Sequence, residues 1–176
     1  VSSSVQNHDL GTLLRARDQV YGEGEFIYLL GVLGTVIGSV VVWAGQSSGT
    51  PTYQTALAPS SVSANDPIAV SMSANVAGFW GWYQLGGQAV VATNGILSAG
   101  APVYLAGGGQ LTTTVAANAS IVGAISIAAS GTPSSGKAIV EIGRPSVIAT
   151  AGSDDSSAPV FVTTGSYVIL PADTFV

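Results

Sequence analysis

Short apolar runs separated by turn residues recur along the whole chain and constrain its fold more than any other feature. Examples are residues 68–72, 121–127 and 167–170, with Gly, Pro, Asn or Ser close by. This pattern is typical of β-strands and turns, and no segment keeps the 3.6-residue periodicity of an amphipathic helix. The sequence therefore predicts an all-β fold, a compact β-barrel or β-sandwich with little helix, an extended N-terminal arm and a C-terminal tail.

One uncharged stretch, residues 26–45, is long enough to cross a bilayer of about 30 Å as a helix. Four glycines interrupt it, eight residues between 25 and 45 are β-branched, and the next Lys or Arg is Lys137. These features favour strands and provide no positively charged flank for a membrane helix. We interpret the stretch as two strands, 26–33 and 39–44, joined by a turn, and expect no membrane partner.

The charge balance excludes some classes of function. Charged residues make up 7% of the chain, and four Lys and Arg oppose nine Asp and Glu, which gives a net charge of −5. Such a chain cannot neutralise phosphates, so we expect no nucleic-acid partner. The absence of cysteine excludes thiolate nucleophiles and thiolate metal sites. A weakly charged surface also favours association with neighbouring molecules.

The candidates for catalytic chemistry are few. Residues 131–137 resemble a phosphate-binding loop, but Ala138 stands where a hydroxyl is required, and a strand-like run follows, so we interpret the segment as a turn. His8 is the only histidine and lies in the polar arm. Glu23 and Glu25 could share a strand face as an acid/base or cation-binding pair, but we favour a solvated turn. We predict no enzyme activity, cofactor or metal.

The chain divides by composition into three parts. Residues 1–9 form a polar arm, residues 10–145 a β-rich body, and residues 146–176 a linker with a strand-forming extension. Within the body, residues 38–45 and 100–107 share Gly, Val, Ala and Gly at equivalent places, which suggests a duplicated hairpin. We expect residues 81–85 and 89–92 to form separate strands. Asn94-Gly95 and residues 107–109 carry hairpin signals.

The densest aromatic cluster is residues 79–83. On a strand, Trp80 and Trp82 would lie on one face and Tyr83 on the other. Such a cluster could belong to the core, to a subunit interface or to a sugar-binding platform. The tail is expected to pack on a neighbouring subunit, or alternatively to complete its own core. The candidate interface residues are Trp80, Trp82, Tyr83, Phe161, Tyr167 and Ile169.

Several segments resemble small head proteins of tailed bacteriophages: residues 10–18, 21–31, 69–78, 80–84 and 143–145. The hairpin of residues 100–114 is similar to capsid decoration, or cement, proteins of such phages. The resemblance covers residues 10–145. It implies a structural virion protein on the outer surface of an icosahedral capsid, commonly a homotrimer, that binds the major capsid protein and stabilises the shell. The alternative is a head-fibre or adhesin-type glycan-binding β-module.

Overall fold

The computed structural model describes residues 2–44, 53–61 and 67–147, with the backbone alone at residues 44 and 144–147. These residues contain ten strands and no helix, which confirms the all-β prediction. No helix within these ranges is long and apolar enough to cross a membrane. The strands are β1 (Leu13–Asp18), β2 (Gly22–Leu30), β3 (Val40–Ala44), β4 (Gln54–Leu57), β5 (Ile68–Ser71), β6 (Trp80–Ala92), β7 (Pro102–Gly107), β8 (Gln110–Thr112), β9 (Ser120–Ser126) and β10 (Lys137–Val147).

Five strands close into a first ring. Neighbours pair in the order β2, β4, β3, β5 and β6, and β6 pairs back onto β2. All of these pairs are antiparallel except β2 with β4, which is parallel at Leu30 and Gln54. The inward side chains form one buried apolar cluster inside the ring, namely Ile27, Leu29, Val41, Ala69 and Tyr83. The uncharged stretch thus supplies the second half of β2 and all of β3, which confirms the two-strand interpretation, although the first strand spans Gly22–Leu30 and not residues 26–33.

A second ring uses the same pattern. β6 continues into it and pairs with β10, followed by β9, β7 and β8. A parallel bridge between Thr93 and Leu111 closes the ring, and the amide of Asn94 donates to the carbonyl of Leu111 at 2.8 Å. Its interior holds buried residues such as Val91, Val103 and Val140. The described chain therefore contains two five-stranded rings that share β6.

The two rings agree in strand order and in register. Val40 on β3 faces Val70 on β5 in the first ring, and Pro102 on β7 faces Ile125 on β9 in the second. Equivalent strands thus pair at equivalent positions, so the hairpin echo in the sequence is part of a duplication of the whole ring.

The turn that precedes β3 in the first ring is repeated before β7 in the second ring. Gly38 and Gly100 both have positive φ, and their amides donate to the carbonyls of Ser71 and Ser126 at 2.8 and 2.7 Å. Both serines are 1% exposed. Each serine hydroxyl donates to the carbonyl two residues ahead, at 2.5 Å for Ser71 and 2.9 Å for Ser126. The repeat therefore extends to the buried hydrogen bonds.

The long strand β6 joins the two rings, and the prediction of separate strands at 81–85 and 89–92 is wrong. The strand continues through Gly86 and Gly87. At these two residues it passes from the first ring into the second. Gly87 has φ +89°, and a Cβ atom there would lie 2.2 Å from the carbonyl oxygen of Glu23. Only glycine fits a crossing this close.

The hairpin signals have different outcomes. Residues 107–109 connect the antiparallel pair β7 and β8, as predicted. Asn94-Gly95 follows β6, but β6 and β7 are not sheet neighbours, so the hairpin expected there is wrong. The turn instead carries the chain across the second ring.

Candidate contact surface

The aromatic cluster is divided between two faces of β6, as strand alternation requires. Trp80 and Trp82 are half-buried on the outside of the first ring, whereas Tyr83 is fully buried inside it. Tyr83 is therefore a core residue, and its side chain is not available to a partner in this structure.

A buried polar cluster surrounds the Tyr83 hydroxyl. Asn75 is also fully buried, and its Nδ2 donates to Tyr83 Oη at 2.7 Å. Ser73 Oγ donates to Asn75 Oδ1 at 3.2 Å. Burial raises the pKa of Tyr83, while hydrogen bonds with Asn75, Thr55 and Ser71 offset part of this effect. The arrangement satisfies a buried phenol, which is a structural role.

The N-terminal arm packs against the outer aromatic face. The ring of His8 lies 5.1 Å from Tyr28 and 5.2 Å from Trp82, and those two rings are 5.1 Å apart. The backbone of Ser3 exchanges two hydrogen bonds of 2.9 Å with Trp80. The chain's own arm therefore covers part of the Trp82 ring.

The most open element is β1. All six of its residues are exposed, and among the described strands it pairs only with β2. Leu13 and Leu14 are 55% and 46% exposed and point to opposite faces. β1 is thus an edge strand that is uncovered on both faces.

The register shows which backbone groups of β1 face outward. The amide of Tyr28 donates to the carbonyl of Thr12 at 3.0 Å, so Thr12 lies in a hydrogen-bonded position opposite β2. Hydrogen-bonded and non-bonded positions alternate along an antiparallel pair. The peptide N–H and C=O groups of Arg15 and Arg17 therefore point away from β2, toward the edge that no described strand covers.

Charges on this hairpin are paired across the two strands. Arg15 Nε lies 3.6 Å from Glu25 Oε1, with the two side chains 85% and 14% exposed. Arg17 stands directly opposite Glu23 in the register. Glu23 and Glu25 both lie in β2, opposite arginines of β1, so the solvated turn that we favoured for them is wrong. No group of three His, Cys, Asp or Glu within the described ranges could hold a metal ion.

A groove of about 590 Å³ lies beside this hairpin and the crossing point of β6. Its lining includes Gly86 and Gly87 of β6 and Ile142 and Gly143 of β10. The groove places backbone, arginine and carboxylate groups around a shallow concave surface. It is continuous with the exposed face of β1, so we regard both as one candidate contact surface, called the β1 surface.

Lys137, the lysine of the loop-like motif, begins strand β10 and not a helix, and residues 131–136 before it form a turn, as predicted. Its Nζ donates to the carbonyl of Ile37, and burial lowers its pKa. The lysine therefore connects the two rings and does not face a phosphate site.

Three predicted interface residues, Phe161, Tyr167 and Ile169, lie outside the described residues. The sequence patterns did not identify β1 as an exposed edge. The available signal was the lack of apolar alternation in Leu-Leu-Arg-Ala-Arg-Asp. Comparison with known proteins found no matching family model, no matching curated protein and no matching solved structure.

Proposed function

We propose that the protein is a structural virion component that decorates the outer surface of an icosahedral phage capsid. In this role it binds the major capsid protein and its own copies, as a homotrimer, and it has no catalytic activity. The observation that carries the proposal is β1, an edge strand exposed on both faces beside a groove.

An exposed edge can accept a strand from another protein. Main-chain hydrogen bonds then supply affinity, and side-chain contacts supply specificity. A partner strand next to β1 would also cover Leu13 and Leu14, which are among the exposed large apolar residues. This mode of binding needs few charges, and it therefore suits a chain with 7% charged residues.

The net charge of −5 also supports an outward position, because an acidic surface is repelled by packaged DNA. The alternative of a glycan-binding module has less support. The ring of Trp82 is engaged by His8 and Tyr28, so the best sugar platform in the sequence is already in contact with the chain itself.

A matched pair of variants at Arg17 tests the proposal. Proline at this position removes the outward N–H without removing a bond to β2, whereas alanine keeps the N–H and removes only the side chain. On capsids stripped of the protein, Arg17→Pro is expected to rebind at least about tenfold more weakly than Arg17→Ala, a difference of about 1.4 kcal/mol. Equal rebinding by two variants with unchanged dichroism spectra would contradict a role for the β1 edge.

A further inference from the structure

The second ring leaves open a face that the first ring buries. On the first ring, Val40 and Val70 are 1% and 2% exposed, because the second ring packs on them. Their counterparts on the second ring are both exposed: Pro102, and Ile125 at 45%. In the same way, Ala58 of the first ring is 0% exposed, whereas its counterpart in the second ring, Thr114, is exposed.

The two equivalent turn glycines, Gly38 and Gly100, also differ in whether other backbone covers them. A Cβ atom on Gly38 would lie 2.7 Å from the carbonyl oxygen of Val90, because β6 runs across it. The amide of Ala92 also donates to the Gly38 carbonyl at 2.8 Å. Gly100 has the same backbone conformation, but no atom of the described residues lies within 4 Å of a Cβ built there.

The sequence supplies a third copy of the segment that covers Gly38. Residues 143–165 align without a gap on residues 86–108, and nine of the 23 positions are identical. The matches include Val147, Ala149-Thr150 and Ala158-Pro159-Val160. A repeated sequence at a constant spacing indicates a repeated structural unit. Residues 86–108 comprise the second half of β6 and all of β7, so residues 143–165 correspond to the first two strands of another ring.

The backbone of β10 past Gly143 can be compared with that of β6 past Gly86. β6 runs through Gly86 from the first ring into the second, and β10 runs through Gly143 and continues to Val147. Past Gly143 it still pairs with the start of β9, at Ser146 with Val122. At the end of the described range the chain therefore lies beside β9, the strand that carries the exposed Ile125.

We propose that residues 144–170 of the same chain form part of a third unit, which covers the open face of the second ring. By equivalence with Ala92 and Gly38, the amide of Ala149 donates to the carbonyl of Gly100. Phe161 takes the place of Tyr104, which is 7% exposed. Phe161 is then a core residue, and the tail lies on its own body and not on a neighbouring subunit.

An engineered disulfide tests this arrangement, because the chain has no cysteine of its own. In the contact between the first two rings, a Cβ on Gly109 would lie 3.3 Å from Ser39 Cβ. The counterparts are Ser166 and Ala101. Ala101→Cys/Ser166→Cys is expected to form a disulfide within one chain, since paired Cβ atoms need about 3.5–4.5 Å.

The control is Ala101→Cys/Ser153→Cys, because Ser153 corresponds to Ile96, which is 79% exposed and points away from the contact. Oxidation of the test pair is expected to be at least about tenfold faster than that of the control, with the product at monomer mass. Equal rates in the two variants would overturn the proposal. Disulfide-linked dimers would overturn it as well and would place the segment on a second copy.

A glycine series gives an independent readout without cysteines. Gly38→Ala, Gly100→Ala and Gly95→Ala share a positive φ, but only Gly38 contacts other backbone within the described residues. If the third unit covers Gly100, then Gly100→Ala lowers the melting temperature about as much as Gly38→Ala. A Gly100→Ala melting temperature equal to that of Gly95→Ala would contradict the proposal.

Discussion

The crossing of β6 between the rings offers a sharp test of the fold. Gly87 and Gly95 both have φ +89°, so alanine at either position carries the same left-handed backbone penalty, about 1–2 kcal/mol. At Gly95 nothing described lies within 4 Å of the added Cβ. At Gly87 the added Cβ would be 2.2 Å from the Glu23 carbonyl oxygen, and because that atom is backbone, β2 must move away from β6.

Overpacking of this kind typically costs about 1–3 kcal/mol in addition. Gly95→Ala should therefore lower the free energy of unfolding by about 1–2 kcal/mol and Gly87→Ala by about 2–5 kcal/mol. For a chain of this length, each kcal/mol shifts the melting temperature by about 2–4 °C. The assay is denaturant unfolding followed by tryptophan fluorescence, with a thermal melt as a second measure. Equal destabilisation by the two variants would refute the close crossing of β6 over β2.

Three further predictions concern the core, the arm and the capsid contact. Tyr83→Phe leaves the buried Asn75 amide without its acceptor and should cost about 1–3 kcal/mol in denaturant unfolding. Because the folded state raises the pKa of Tyr83, the wild-type free energy of unfolding should fall as pH rises above about 10, and Tyr83→Phe should weaken that fall. A pH slope unchanged by the substitution would show that Tyr83 is not the group responsible. His8→Ala removes two ring contacts and should cost about 1 kcal/mol and shift the emission of Trp82, whereas an unchanged spectrum would contradict the packing of the arm. If the protein decorates a capsid as proposed, its attachment should withstand moderate salt, because screening weakens mainly exposed charge pairs and only 7% of the residues are charged. Release by salt alone at neutral pH would contradict this.

Local sequence patterns predicted most of the strands, because most of them have their own apolar run and turn. The uncharged stretch contains two strands as expected, since Gly34 and Gly38, both with positive φ, lie in the connection between β2 and β3. The same logic failed at Gly86-Gly87, where two glycines in a row suggest a break. There the glycines serve a tertiary contact, the approach of the β2 backbone, which no local pattern reveals.

The closure of the rings depends on contacts between distant residues. A short stretch of sequence does not predict which distant strands pair. Examples are the parallel bridge of Thr93 with Leu111 and the pairing of β2 with β6. The hairpin echo between residues 38–45 and 100–107 was visible, but its extent became clear only from the matching registers. With those registers known, the third copy at residues 143–165 is also readable in the sequence.

The candidate surface was only partly predictable. Alternation placed Trp80 and Trp82 opposite Tyr83 correctly, because a strand side-chain period of two needs no tertiary information. The burial of Tyr83 and the packing of His8 on Trp82 depend on ring closure and on the path of the arm. The exposure of β1 depends on the absence of a neighbouring strand within the described residues, which sequence patterns do not report.

The proposed function implies that a phage encodes this chain, and its most direct test is quantitative mass analysis of purified virions of that phage. A capsid decoration protein should be present at a copy number comparable to that of the major capsid protein. It should also be lost together with capsid stability when its gene is deleted. Absence from purified virions, or presence in only a few copies as expected of a fibre, would contradict the account.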